Sequence, residues 1–173
     1  MKLTTKQLTL CAVLTAMALA LSYLENFFPL SLAIPIPGVK LGLANIVTVF
    51  TVFALGPKDS LLVLAARIFL GAVFAGNFST ILYSASGGAC AILVTIGLRK
   101  ILKENQLWAA GCLGAMAHSV GQMIAAIAIT RTAGLLVYLP VMIVISIFTG
   151  LFTGLCAQYL VKRGGKLWKT IFR

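Results

Sequence analysis

Apolar residues run through this chain in six long blocks, interrupted by short clusters of glycine, proline and charge. The blocks fall at about 8–24, 42–55, 60–75, 80–98, 106–130 and 135–160. Inside each block the apolar residues are continuous, unlike the apolar-out, polar-in alternation of a membrane β-barrel strand. Most approach the roughly 17–25 residues that a helix needs to cross the hydrocarbon core. The pattern predicts an all-α integral membrane protein, a six-transmembrane-helix bundle that forms one domain over 1–173.

The breaks carry their own information. Between the first and second blocks lies ENFFPLSLAIPIPGVKL, Glu25 to Leu41, with Pro29, Pro35 and Pro37. Proline cannot occupy a regular helix interior, yet the stretch is too apolar for a plain aqueous loop. It reads as a re-entrant or lid segment, since irregular backbone is tolerated at membrane depth only against other protein or a wet cavity. Gly56-Pro57-Lys58-Asp59 predicts a tight turn, and Gly76-Asn77-Phe78-Ser79 a short one. Ser84, Ser86, Gly87 and Gly88 inside the fourth block predict that its outer part is irregular. The first block is long enough to span and continues past the point where an export signal would be cut, so it is expected to remain as a helix.

Composition sharpens this picture. Hydrophobic residues make up 61% of the 173 and charged residues 10%, against roughly 25% charged in an ordinary soluble domain, so much of the surface must face membrane lipid. Lys and Arg number 14 against 3 acids, a formal net charge of +11. In a soluble protein that excess would point to nucleic acid. Here Lys2, Lys6, Lys58, Arg99, Lys100, Lys103, Lys162, Arg163, Lys166, Lys169 and Arg173 all fall at the termini or in one alternate set of loops, and only Lys40 and Arg131 in the other. That is the positive-inside pattern: both termini are expected in the cytoplasm, across a bacterial cytoplasmic membrane, with no nucleic-acid partner. Cys11, Cys90, Cys112 and Cys156 lie inside apolar blocks without metal-site spacing and read as packing residues.

The chemistry is sparse. Glu25, Asp59 and Glu104 are scattered over three breaks, whereas Mg²⁺-dependent diphosphate chemistry needs clustered oxygen ligands; no phosphate-cradling Gly-rich loop ending in Lys-Ser/Thr is present either. No catalytic residue, metal or cofactor is expected. Arg67 stands in the middle of the third block, where a charge is costly and must face the bundle interior; it either grips an anionic substrate group or makes a structural pair with a polar neighbour. His118 and Gln122, four apart, share a helix face, either for packing or for ligand contact. Asn45 and Tyr83-Ser84-Ser86 add polar groups toward the same half, and Lys40 falls at the expected mouth, so Arg67, His118, Gln122, Asn45, Tyr83 and Lys40 form the candidate substrate site. Ala12, Ala16 and Ala20 repeat at four-residue spacing, a small-residue row that lets another helix approach closely. Gly111, Gly114 and Ala115, and Gly150 and Gly154, form similar ridges that serve either docking or internal packing.

The block PGVKLGLANIVTVF (Pro37 to Phe50), with Arg67, LYSASGG (Leu82 to Gly88) and HSVGQ (His118 to Gln122), resembles the Gx transporter family, also labelled heptaprenyl diphosphate synthase component I. The resemblance covers nearly the whole chain. That family is in turn similar to the substrate-binding S components of energy-coupling factor transporters, six-helix proteins whose alanine-rich first helix docks on a transmembrane coupling protein driven by two ATPases. The resemblance implies a non-catalytic subunit that captures a small cofactor, vitamin, or quinone or isoprenoid precursor, with Ala12, Ala16 and Ala20 as the docking row. Two other classes stay open: a membrane anchor or scaffold of a redox or prenyl-lipid enzyme complex, and an enzyme acting on a lipid-linked substrate with His118 as acid and base.

Overall fold

The structure is a computed structural model that describes residues 4–27, 42–76 and 79–171, apart from the side chains of 26, 79–80 and 165–171. Six α-helices follow one another: α1 (Thr5–Leu24), α2 (Asn45–Ala54), α3 (Pro57–Ala75), α4 (Ser79–Arg99), α5 (Leu107–Thr130) and α6 (Leu139–Ile171), with no strand among the described residues. A 3₁₀ turn, Glu25–Phe27, follows α1, and another, Ala133–Tyr138, precedes α6. Most of the expected proline-rich segment, with Pro29, Pro35, Pro37 and Lys40, lies outside the described residues, as does Asn77.

Local chemistry sets the helix ends. Thr4 opens α1 with a capping box: its hydroxyl accepts from the Gln7 backbone N–H while the Gln7 side chain accepts from the Thr4 N–H. Gly56 takes φ 118°, which a side chain would resist, and delivers the chain to Pro57 at the first helical position. Pro57, Lys58 and Asp59 are therefore the first turn of α3, rather than a loop ahead of it. α4 runs unbroken through Ser84, Ser86, Gly87 and Gly88, which corrects the expectation of an irregular outer part. Ser86 Oγ donates to the Gly121 carbonyl on α5 at 2.8 Å, so the serine ties two helices together instead of breaking one.

α5 packs most extensively, with α4 on one side and α6 on the other. Along α6 the approach is backbone to backbone. A Cβ on Gly150 would stand 2.7 Å from the Cys112 Cα, and one on Gly154 2.7 Å from the Leu107 carbonyl oxygen. The glycine ridges of the two helices thus close on each other inside the bundle. Polar groups in this seam are paired: Ser119 and Ser146 hydroxyls lie 2.5 Å apart, and the Leu107 N–H, one of the orphan donors at the start of α5, reaches Gln158 Oε1 at 3.1 Å.

The outer surface is apolar. Phe69, Phe74, Phe148 and Phe152 are exposed, as expected where the solvent is lipid. Among the described residues, four helical segments are long and apolar enough to cross a membrane by themselves: Thr5–Leu24, Ile81–Arg99, Leu107–Thr130 and Ala133–Gly164. The other two of the six expected spans differ. α3 has the length, 19 residues, but carries Lys58, Asp59 and Arg67. α2 has 10 residues, a rise of about 15 Å at ~1.5 Å per residue, half of a hydrocarbon core of about 30 Å. It reaches into the bundle rather than through it, and its buried residues, from Asn45 to Val52, are enclosed by the longer helices.

Candidate functional site

At the end of the bundle where α1 finishes and α2 begins, the helices line a small polar cavity of about 60 Å³. Its polar lining is Ser22 and Glu25 from the end of α1 and the turn after it, Arg67 from α3, Ser84 from α4, and His118 and Gln122 from α5. Arg67, His118 and Gln122 are each at least 93% buried. The three residues that the hydrophobic pattern singles out therefore converge on one space.

Arg67 meets a carboxylate there. Glu25 is 5% exposed, accepts a hydrogen bond from the Leu43 N–H just ahead of α2, and is close enough for its charge to act on Arg67. In the linear sequence Glu25 stands at the outer end of the first block, with no acid at the depth of Arg67. The turn Glu25–Phe27 carries its carboxylate inward, and so the cavity holds a positive and a negative charge rather than an isolated cation.

The neutral groups are less well served. Asn45 Nδ2 and Oδ1, His118 Nδ1 and Gln122 Oε1 are all buried and find no hydrogen-bond partner among the described residues. Buried polar atoms in native proteins are nearly always paired, and each exception needs an explanation. These four lie together. Gly42, at φ 85°, packs over both the amide and the imidazole: a Cβ there would be 2.8 Å from Asn45 Nδ2 and 3.7 Å from His118 Cδ2. From the α4 side Gly87 makes room for the other two, since a Cβ would stand 2.8 Å from Gln122 Cγ and 2.9 Å from His118 Cε1. His118 Nδ1 faces the backbone of Gly87 without a hydrogen bond of good geometry. Two glycines on different elements thus seat the His118 and Gln122 side chains.

Tyr83 stands apart. It is buried among Met123, Ala125, Ala126 and Met142, and its neighbour Ser84 lines the cavity in its place. One residue along a helix is a rotation of about 100°, enough to move a side chain from one face to the next. Lys40, the expected residue at the mouth, lies outside the described residues. Ala12, Ala16 and Ala20 are all exposed, while Cys11, Leu14, Thr15 and Ala18 form the buried face of α1. Among the described residues no three His, Cys, Asp or Glu side chains gather as a metal site.

The LYSASGG and HSVGQ blocks thus supply adjoining walls of one cavity, Ser84 from α4 and His118 and Gln122 from α5, and Gly42, just ahead of α2, lines it as well. No curated protein and no solved structure matches the chain. A family model does, over residues 14–160, which takes in every described cavity residue. The chain belongs to the family described as heptaprenyl diphosphate synthase component I.

Proposed function

We propose that this chain is the substrate-binding membrane subunit, similar to an S component, of an uptake transporter for a small cofactor, vitamin, or quinone or isoprenoid precursor. The observation that carries the reading is that His118 Nδ1 and Gln122 Oε1, two buried polar atoms on residues lining one cavity, find no hydrogen-bond partner among the described residues, with the likewise unpartnered Asn45 amide next to them behind Gly42. Leaving a buried donor or acceptor unmade costs about 1–3 kcal/mol each, and a ligand that supplies the partners recovers that energy on binding. Arg67 and Glu25 present charges of both signs to the same ligand.

Orientation supports capture from outside. The bias of lysines and arginines supports a cytoplasmic start of α1, and with that orientation the cavity, at the far end of α1, falls in the outer half of the bilayer. The exposed row Ala12, Ala16 and Ala20 is a smooth face on which a coupling transmembrane protein, driven by ATPases, docks closely. The chain itself has no catalytic role. The test is native mass spectrometry of the detergent-purified protein, in which a small molecule is retained by the native chain and lost on Gln122→Met. A ligand-free mass, unchanged after incubation with flavins, quinone precursors and prenyl phosphates, contradicts the reading.

The family description names a synthase component, and that favours one second reading, a non-catalytic membrane anchor for a prenyl-lipid enzyme. It predicts no retained ligand and a synthase subunit co-purifying through α1.

A further inference from the structure

A second cavity, of about 890 Å³ with its mouth, lies in the seam between the end of α1 and the end of α3. Its walls share Leu19, Ser22, Gly71 and Ala75 with the polar cavity. The two cavities therefore adjoin across these residues, one with polar lining and the other apolar. Tyr23 and Phe74 line the apolar end and are 68% and 77% exposed, so this end opens sideways, where the bundle meets lipid. Gly71 and Leu19 form the partition between the two cavities, where a Cβ on Gly71 would touch Leu19 Cδ2 at 3.6 Å.

The polar end restricts the head group that it takes. The Asn45 amide, a donor nitrogen and an acceptor oxygen, both without partners among the described residues, stands behind Gly42 beside His118 rather than in the cavity wall. Gln122 Oε1 is a further acceptor awaiting a donor. A head that only accepts, such as a fully ionised phosphate, serves Arg67 and leaves these oxygens bare, and it also meets the negative Glu25. A head that both donates and accepts serves all of them.

We propose that the ligand is an amphiphile with a neutral head that both donates and accepts hydrogen bonds, bound between Arg67, His118 and Gln122, and with a hydrocarbon chain laid in the α1–α3 seam. It enters sideways from the outer leaflet. This rests on the reading of the chain as a binding subunit and names the substrate class of that same site.

Three probes test it on the full chain in phosphatidylcholine nanodiscs: dodecyl gallate, whose hydroxyls donate and accept; methyl gallate, the same head without the chain; and dodecyl phosphate at pH 8, a head that only accepts. A dodecyl chain also partitions into the disc, so each affinity is read in the native chain and in Ala20→Trp, which fills the apolar end from its lipid-facing rim. Dodecyl gallate is expected to bind about tenfold or more tighter than either other probe, and Ala20→Trp to remove its advantage over methyl gallate while leaving methyl gallate unchanged. Dodecyl phosphate binding as tightly as dodecyl gallate overturns the head assignment. An Ala20→Trp variant that binds dodecyl gallate like the native chain overturns the seam. If a chain-free molecule such as riboflavin is retained, and lost on Gln122→Met, while none of the three probes binds, the amphiphile falls and the binding subunit stands. If neither riboflavin nor any probe binds, both fall.

Discussion

α5 carries two faces built on opposite terms. Toward α6 it presents Gly111 and Ser119, where glycine backbones touch and the serine hydroxyl is paired at 2.5 Å with Ser146. Toward the cavity it presents His118 and Gln122, equally buried, with Nδ1 and Oε1 left without partners. His118 and Ser119 are adjacent in sequence, so neither depth nor helix propensity explains the difference. Nothing in the fold forces the cavity face to be unsatisfied when the neighbouring face is not. The seam holds helices together, and the open hydrogen-bonding capacity of the cavity face fits the ligand role proposed for it.

Substitutions separate the two faces. The largest effect is expected at Gly154→Leu, where backbone atoms of Leu107 and Trp108 leave no space for a Cβ. Overpacking at such a contact costs about 3 kcal/mol or more, read as loss of a folded monomer in detergent by size-exclusion and thermal melting. Arg67→Ala comes next. It takes a positive charge away from the buried Glu25 and is expected to destabilise by about 3 kcal/mol while abolishing binding. The double variant Arg67→Met with Glu25→Gln regains stability but not binding; recovery of binding would assign both charges to structure alone. Gly87→Ala pushes on Gln122 and His118 and is expected to weaken ligand binding about tenfold, at a stability loss of about 1 kcal/mol. Ser146→Ala, in the seam, removes two hydrogen bonds, with the Ser119 hydroxyl and to the Met142 carbonyl, lowers stability by about 1–2 kcal/mol and leaves binding unchanged.

Much of this arrangement is legible in the sequence. Hydrophobic blocks locate all six helices to within a few residues at most ends, because a long apolar run has only one way to satisfy its backbone in lipid. Arg67, His118 and Gln122 stand out because polar groups at mid-helix in such a chain must face inward. Glu25 is not legible as their neighbour, since its place depends on a turn that folds the end of α1 back over the cavity. Tyr83 and Ser84 differ by one step of helical rotation, which polarity alone does not resolve in a helix apolar on every side. The glycine ridges of α5 and α6 are visible as spacing, but only their mutual contact distinguishes an internal seam from a docking face. Gly42 and Gly87 carry no sequence signal for their task, which is defined by side chains on another helix.

The most direct test of the cavity as a ligand site is Gln122→Met, measured for thermal stability and ligand retention in the same preparation. Met matches the volume of Gln and removes a buried amide with an unpartnered oxygen. Our account predicts that the ligand-free protein becomes more stable, by about 1 kcal/mol, while ligand retention is lost. A variant that is less stable and still retains its ligand would make Gln122 a structural residue and contradict the account.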